Sequence, residues 1–307
     1  HLSGPAYYLD WTHAGKHLVS QTSYTDRSPD FRAAVGYFDR MDIREASQTL
    51  GYMWRPEDSV VQSFGPRLKG LINYNREGRV RDWKINPEFE IDLTRMTKLS
   101  VGRAEEFELY SDRAFRKHHN DMELGSAWTR WLTFKVLFSN GTAVNYYPNP
   151  GLDPFLGRFR KVEASIAFRP DDHTRIDETY LYSGLRTDFG LAATGDPAGT
   201  AIFNNHIWRT NVKYQFDRRA SLRVIVDYNS VLPNAGLVDL KKEKHIGVDV
   251  LFTYLLNPGT ALYLGYTDLY DNLRLNPTLS PALYRTDFPD TNTGRQVFFK
   301  LSYLFRF

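Results

Sequence analysis

Histidine and carboxylate residues are the first candidates for chemistry in this sequence of 307 residues. The tightest cluster is His118-His119-Asn120-Asp121. Adjacent residues on a strand point to opposite faces, so only a loop conformation would bring both imidazoles onto one metal ion. A solvated loop tip is therefore the preferred interpretation, and His206 and His245 are interpreted as rim residues at strand starts near long loops. The sequence predicts no metal site and no cofactor.

Catalysis by hydrolysis requires a nucleophile or an activated water beside a base and an orienting group. The sequence contains no Gly-x-Ser-x-Gly motif. Its carboxylate groups are Glu105-Glu106 with Glu108 on a predicted strand and Asp171-Asp172 in a turn, and charged ladders of this kind are routine inside barrels. We therefore expect no enzyme activity, and a hydrolase embedded in a barrel is kept as the alternative.

The elements that position these residues show an alternation with period two, which is typical of strands. At the C-terminus, Val297, Phe299, Leu301, Tyr303, Phe305 and Phe307 fall on one face, and Lys300 and Arg306 fall on the other. The strands are predicted at 3–12, 15–25, 42–54, 59–74, 80–93, 98–110, 124–138, 142–148, 158–169, 173–184, 201–216, 220–229, 244–255, 260–270 and 296–307. Under a tenth of the residues are expected to be helical.

Short and long connections alternate between these strands. The short turns are at 55–58, 94–97, 140–141, 170–172, 217–219 and 257–259, and the long loops are at 27–40, 111–120, 147–156, 186–199, 230–243 and 271–294. Short turns on one side and long loops on the other are typical of a transmembrane β-barrel. The fold class predicted is all-β, a transmembrane antiparallel up-and-down β-barrel of about 15 to 16 strands. A soluble propeller or sandwich is the alternative.

The composition excludes other classes of protein. The chain has 39 basic and 36 acidic residues, no cysteine and a net charge of +3, so binding to nucleic acid is not expected. No stretch approaches the roughly 18 apolar residues of a membrane-spanning helix. No linker or composition shift divides the sequence, so residues 1–307 are interpreted as one barrel domain.

The polar faces of the predicted strands point to a wet interior, and the apolar faces point to lipid. Aromatic side chains are expected at the outer boundary, and Tyr214, Tyr254, Tyr263, Tyr303 and Phe305 are predicted to be exposed there. In porins, rings of acidic and basic side chains in the lumen set the preference for particular solutes, and such rings also hold the segments that plug a lumen. The candidate residues that face the interior are Arg209, Asn211, Lys213, Arg223, Asp227, Asp249, Lys300 and Arg306.

The C-terminal third resembles a known family. The segments at 214–216, 220–228, 254–266 and 299–307, with Asp30-Phe31-Arg32 and 36–40 further upstream, resemble an outer-membrane barrel of unknown function. Members of that family join this barrel to an N-terminal β-sandwich like a carbohydrate-binding module of family 9. The resemblance implies an outer-membrane location in a Gram-negative cell. The sandwich has no counterpart here, which leaves a sugar-binding role without support.

The final residues are similar to the signal that the barrel-assembly machinery recognises, namely alternating aromatic residues that end in Phe. Tyr303, Phe305 and Phe307 carry this similarity. An ordinary amphipathic edge strand is the alternative. If the last strand ends in the periplasm, the strand at 3–12 descends from the outer side. Because bacterial single-chain barrels have even strand numbers, we expect at least one further strand, from upstream sequence or from another chain.

Two functions follow from this sequence. The first is porin-like passage of solutes through a polar lumen. The alternative is a membrane anchor or scaffold with a plugged lumen, which holds an N-terminal domain or a partner protein. In both cases the expected partners are the lipid bilayer of the outer membrane and the barrel-assembly machinery.

Overall fold

The computed structural model of the chain describes residues 4–32, 40–188, 197–257, 259–278, 280 and 282–304. Every regular element in these ranges is a strand, which confirms the expectation of little helix. No helix in the described ranges has the length and apolar character needed to cross a membrane. The strands are β1 (Ala6–Ala14), β2 (Leu18–Arg27), β3 (Ile43–Tyr52), β4 (Val61–Tyr74), β5 (Val80–Leu93), β6 (Thr97–Tyr110), β7 (Arg113–Ser126), β8 (Leu132–Asn145), β9 (Phe155–Phe168), β10 (Thr174–Arg186), β11 (Ala201–Gln215), β12 (Ala220–Pro233), β13 (Glu243–Asn257), β14 (Thr260–Asp271), β15 (Leu273–Leu275), β16 (Leu283–Arg285) and β17 (Thr291–Tyr303).

Fifteen of these strands form one antiparallel up-and-down sheet, in which strands pair in chain order from β1 to β14 and β17 then pairs with β14. β15 and β16 form a separate hairpin within the connection before β17. In the described part of the chain β1 pairs only with β2, and β17 pairs only with β14. The sheet is therefore not closed, and the expectation of a further strand stays a prediction.

The chain divides into two compact units, which we describe separately. The first unit contains His1–Leu124 and Ser139–Val144, and the second contains Gly125–Phe138 and Asn145–Phe307. In the second unit the apolar alternation predicted for the last strand is confirmed. Val297, Phe299 and Leu301 share one face of β17, and the side chains of Phe299 and Leu301 are 65% and 58% exposed.

The prediction of a long loop at 111–120 is wrong, because residues 113–120 belong to β7. Ser111 and Asp112 form a two-residue turn with positive φ angles of 49° and 59°. Such turns usually contain Asn-Gly or Asp-Gly, so Ser-Asp is a weak signal. β7 also carries polar residues on both faces, and it therefore lacks the apolar alternation by which the other strands are recognised. His118 and His119 consequently lie within a strand, and the interpretation as a loop tip is wrong.

The predicted strands 124–138 and 142–148 are also wrong, because one continuous strand, β8, covers Leu132–Asn145. The sequence Asn140-Gly141 had indicated a turn, since Asn-Gly is a strong hairpin signal. The structure instead places Gly141 inside the strand, where an added Cβ atom would lie 2.0 Å from the carbonyl oxygen of His118. Glycine is present here because the backbone of β7 approaches closely.

Candidate functional site

Seven of the eight predicted interior residues lie on one face of the second unit. Residues directly opposite each other on antiparallel strands share a face, and Arg209 is opposite Asp227 while Lys213 is opposite Arg223. We call this the polar face, and its predicted members are Arg209, Asn211, Lys213, Arg223, Asp227, Asp249 and Lys300. Arg306 lies outside the described residues, as do Phe305 and Phe307 of the predicted assembly signal.

Part of the polar face is held by local pairing. The Arg209 guanidinium lies 3.1 Å from the Asp227 carboxylate. Thr267 donates a hydrogen bond to Asp249. The Lys300 ammonium lies 5.9 Å from the centre of the Tyr263 ring. The prediction that Tyr263 points away from Lys300 is therefore wrong, because the register of β14 and β17 places these two residues directly opposite each other.

The opposite face of the same strands is the apolar face. Val212 of β11 is opposite Ile176 and Val224, and Val224 is in turn opposite Val250. Tyr214 lies at the short-turn end of β11, and Trp208 lies six residues away toward the long loops, with its ring 5.5 Å from that of Tyr180. At about 3.3 Å per residue, this spacing corresponds to about 20 Å. The predicted exposure of Tyr214 and Tyr303 is confirmed, whereas Tyr254 is only partly exposed.

The apolar face also carries charged residues that were not singled out from the sequence, namely Asp268, which lies 3.1 Å from Arg295, and Glu178. The Glu178 carboxylate accepts hydrogen bonds from Trp208 Nε1 and Thr210 Oγ1, both at 2.9 Å. These two donors satisfy one carboxylate oxygen. On β12 and β13 the apolar face consists of aliphatic and aromatic side chains, namely Leu222, Val224, Val226, Val248, Val250 and Phe252.

The first unit has its own charged rows, and in these rows opposite charges are paired. Arg67 lies 2.9 Å from Glu90, and Lys69 lies 2.7 Å from Glu88. On the neighbouring strands Lys84 lies 2.7 Å from Glu106, and Lys117 lies 2.5 Å from Glu108. His119 joins this network through Glu106 at 3.6 Å, and its other ring nitrogen lies 3.1 Å from Asp121. Glu106 and Glu108 thus belong to a charged ladder with lysines, and this arrangement supplies no catalytic base with a free nucleophile.

The remaining histidines near the long loops are hydrogen-bonded. Nδ1 of His206 lies 3.0 Å from the Tyr180 hydroxyl, and Nδ1 of His245 lies 3.0 Å from the Asp271 carboxylate. Both therefore have structural partners at the strand ends. Within the described ranges, no group of three or more histidine or acidic side chains is arranged to hold a metal ion.

The second unit contains a cavity of about 680 Å³ at its short-turn end. Two loops and the ends of β10 to β13 line it. Its cationic lining residues are Arg130, Arg169, Arg175, Lys213 and Arg223, and its acidic lining residues are Asp171 and Asp172. Lys213 and Arg223 were candidates from the sequence, and the three other arginines were missed. The cross-strand register that gathers these residues is not visible in a single sequence.

Comparison of the chain with protein-family models finds no family that matches, and comparison with curated proteins finds no match.

Proposed function

We propose that this chain is an outer-membrane β-barrel that allows the passage of solutes through a polar, water-filled interior, as porins do. The observation that carries the proposal is the division of strands β11, β12 and β13 into one mainly apolar face and one charged face. A soluble sheet that exposes such an apolar face to water would be prone to association. In a bilayer, the same face contacts lipid and the charged face lines the aqueous passage.

The dimensions of the apolar face support the membrane location. Outer-membrane barrels have an apolar band about 25 Å tall between two girdles of aromatic residues. On the apolar face of β11, Tyr214 and Trp208 are separated by about 20 Å along the strand, which at a tilt of about 40° is about 15 Å of height, so both rings fit within such a band. Tyr and Trp are favoured at such boundaries because one end of each ring is apolar and the other end donates hydrogen bonds.

The charged face supports passage rather than a sealed core. In the first unit the charged rows pair internally, whereas several cations at the cavity of the second unit have no carboxylate partner among the residues that the structure describes. Rings of charge are the elements that set ion preference in channels. Passage also requires closure of the sheet between β1 and β17, which we propose occurs through at least one further strand.

Reconstitution of the purified protein into a planar bilayer tests this function. We expect discrete conductance steps that remain open at low voltage, because a polar lumen without a plug conducts ions. The control is a bilayer that receives the same detergent without protein. Absence of conductance from protein that is inserted and resistant to protease contradicts the porin-like function, and it favours the anchor or scaffold with a filled lumen.

A further inference from the structure

A row of cations crosses the polar face beside the cavity. Arg175 is directly opposite Lys213, and Lys213 is directly opposite Arg223. Arg169 follows Phe168, the last residue of β9, whose partner is Ile176, and both Arg169 and Arg175 line the cavity. We call these four residues the basic row. Like charges that lie directly opposite each other destabilise a sheet, so this arrangement carries a cost in stability.

Few carboxylates balance the basic row. Arg175 is paired with Asp177 at 2.9 Å. In the described part of the chain, Arg169, Lys213, Arg223 and the nearby Arg130 have no carboxylate within 4.0 Å. This sets the basic row apart from the ladder of the first unit, in which Arg67 and Lys69 each contact a glutamate.

The two acidic residues of the cavity offset the positive charge of the row only in part. The Asp171 carboxylate accepts hydrogen bonds from the backbone N–H of His173 at 2.8 Å and of Thr174 at 2.7 Å. The His173 N–H lowers the pKa of Asp171 below its usual value, so this group is ionised and held in its own turn. Asp172 is exposed in the same turn. Five cations therefore line the cavity against two acids.

We propose that the basic row and Arg130 bind small solutes that carry a multivalent oxyanion, with phosphate as the chemical class. This site would define the class of solute that uses the passage, and that role rests on the proposed function. Guanidinium groups donate paired hydrogen bonds to phosphate oxygens, and Lys213 adds a mobile point charge. The volume of about 680 Å³ suits a ligand the size of a small phosphorylated metabolite.

The direction of the basic row distinguishes a solute from a lipid headgroup. Lys213 and Arg223 share the face that is opposite to Val212, Val224 and the other apolar residues. If the apolar face contacts lipid, these cations point away from the bilayer and toward the aqueous interior. A dissolved anion therefore reaches them, whereas the phosphates of the surrounding bilayer do not.

Calorimetric titration of the detergent-solubilised protein with pyrophosphate tests the site. We expect binding that the double variant Lys213→Gln/Arg223→Gln weakens by about tenfold or more, because each lost cation removes charge-assisted hydrogen bonds. Lys241→Gln is the matched control, since it removes one positive charge from an exposed loop position outside the cavity, and it should bind as the unmodified chain does.

Arg169→Gln is a second variant in case the double variant does not fold, and it should weaken binding in the same direction. No binding to the unmodified chain, or equal binding to all variants, overturns the proposal. Because this titration needs no conductance, it separates the two proposals. Binding without conductance contradicts passage and retains the site, and conductance without binding contradicts the site and retains passage.

Discussion

Gly141→Ala is expected to destabilise the folded protein by about 3 kcal/mol or more, the upper part of the range for overpacking. The new Cβ atom would lie 2.0 Å from the His118 carbonyl oxygen and 2.6 Å from the His119 Cα atom. Both of these atoms belong to the backbone of β7, so the neighbour cannot rotate away as a flexible side chain would. Denaturant titration of the protein in lipid vesicles, followed by tryptophan fluorescence, measures the change.

Gly70→Ala is the matched control for this substitution. A Cβ atom at Gly70 would meet no atom within 4 Å, and Gly70 also lies inside a strand. Alanine at such a position is expected to be neutral or to stabilise by up to about 1 kcal/mol, because it reduces the freedom of the unfolded chain. Equal effects of the two substitutions contradict the close approach of β7 and β8 at Gly141.

Reversal of charge in the basic row is expected to change the ion selectivity of the reconstituted passage. In Lys213→Glu/Arg223→Glu, two of the cations that line the cavity become anions. The local field at that end then attracts cations, and we expect the ratio of chloride to potassium permeability to fall by about an order of magnitude. The reversal potential across a gradient of KCl measures this ratio.

The salt concentration and a control decide how this result is interpreted. At about 0.1 M salt the screening length is about 10 Å, so charges on the face of the passage act on passing ions while distant charges are screened. Lys241→Glu changes a charge outside the cavity and should leave the ratio unchanged. A double variant with the selectivity of the unmodified chain indicates that ions do not pass the basic row.

Alternation of apolar and polar residues was sufficient to predict the strands with one clearly apolar face. Val297, Phe299 and Leu301 were predicted to share one face, and β17 confirms this. β7 was missed because polar residues occupy both of its faces, and β8 was divided because Asn140-Gly141 has the composition of a turn. In each case the pairing with a neighbouring strand overrides the local signal.

The candidate site was predicted only in part for a related reason. Lys213 and Arg223 were identified from alternation within their own strands. The cavity also depends on Arg169 and Arg175, which come from two other strands, and on Arg130 in a loop. The register between strands brings these residues together, and the sequence does not specify that register. Tyr263 was assigned to the wrong face because its own strand has bulky residues on both sides.

The membrane orientation of the two faces is directly measurable because the sequence contains no cysteine. Single cysteines are introduced at Val212 and Val224 on the apolar face and at Lys213 and Arg223 on the polar face, which are two adjacent pairs of opposite residues. In lipid vesicles, a charged maleimide that does not cross membranes should label positions 213 and 223 and should leave positions 212 and 224 unreacted. All four should react in denaturant. Equal labelling of the four positions in vesicles, or labelling of positions 212 and 224 alone, would contradict a lipid-facing apolar face and a water-filled polar interior.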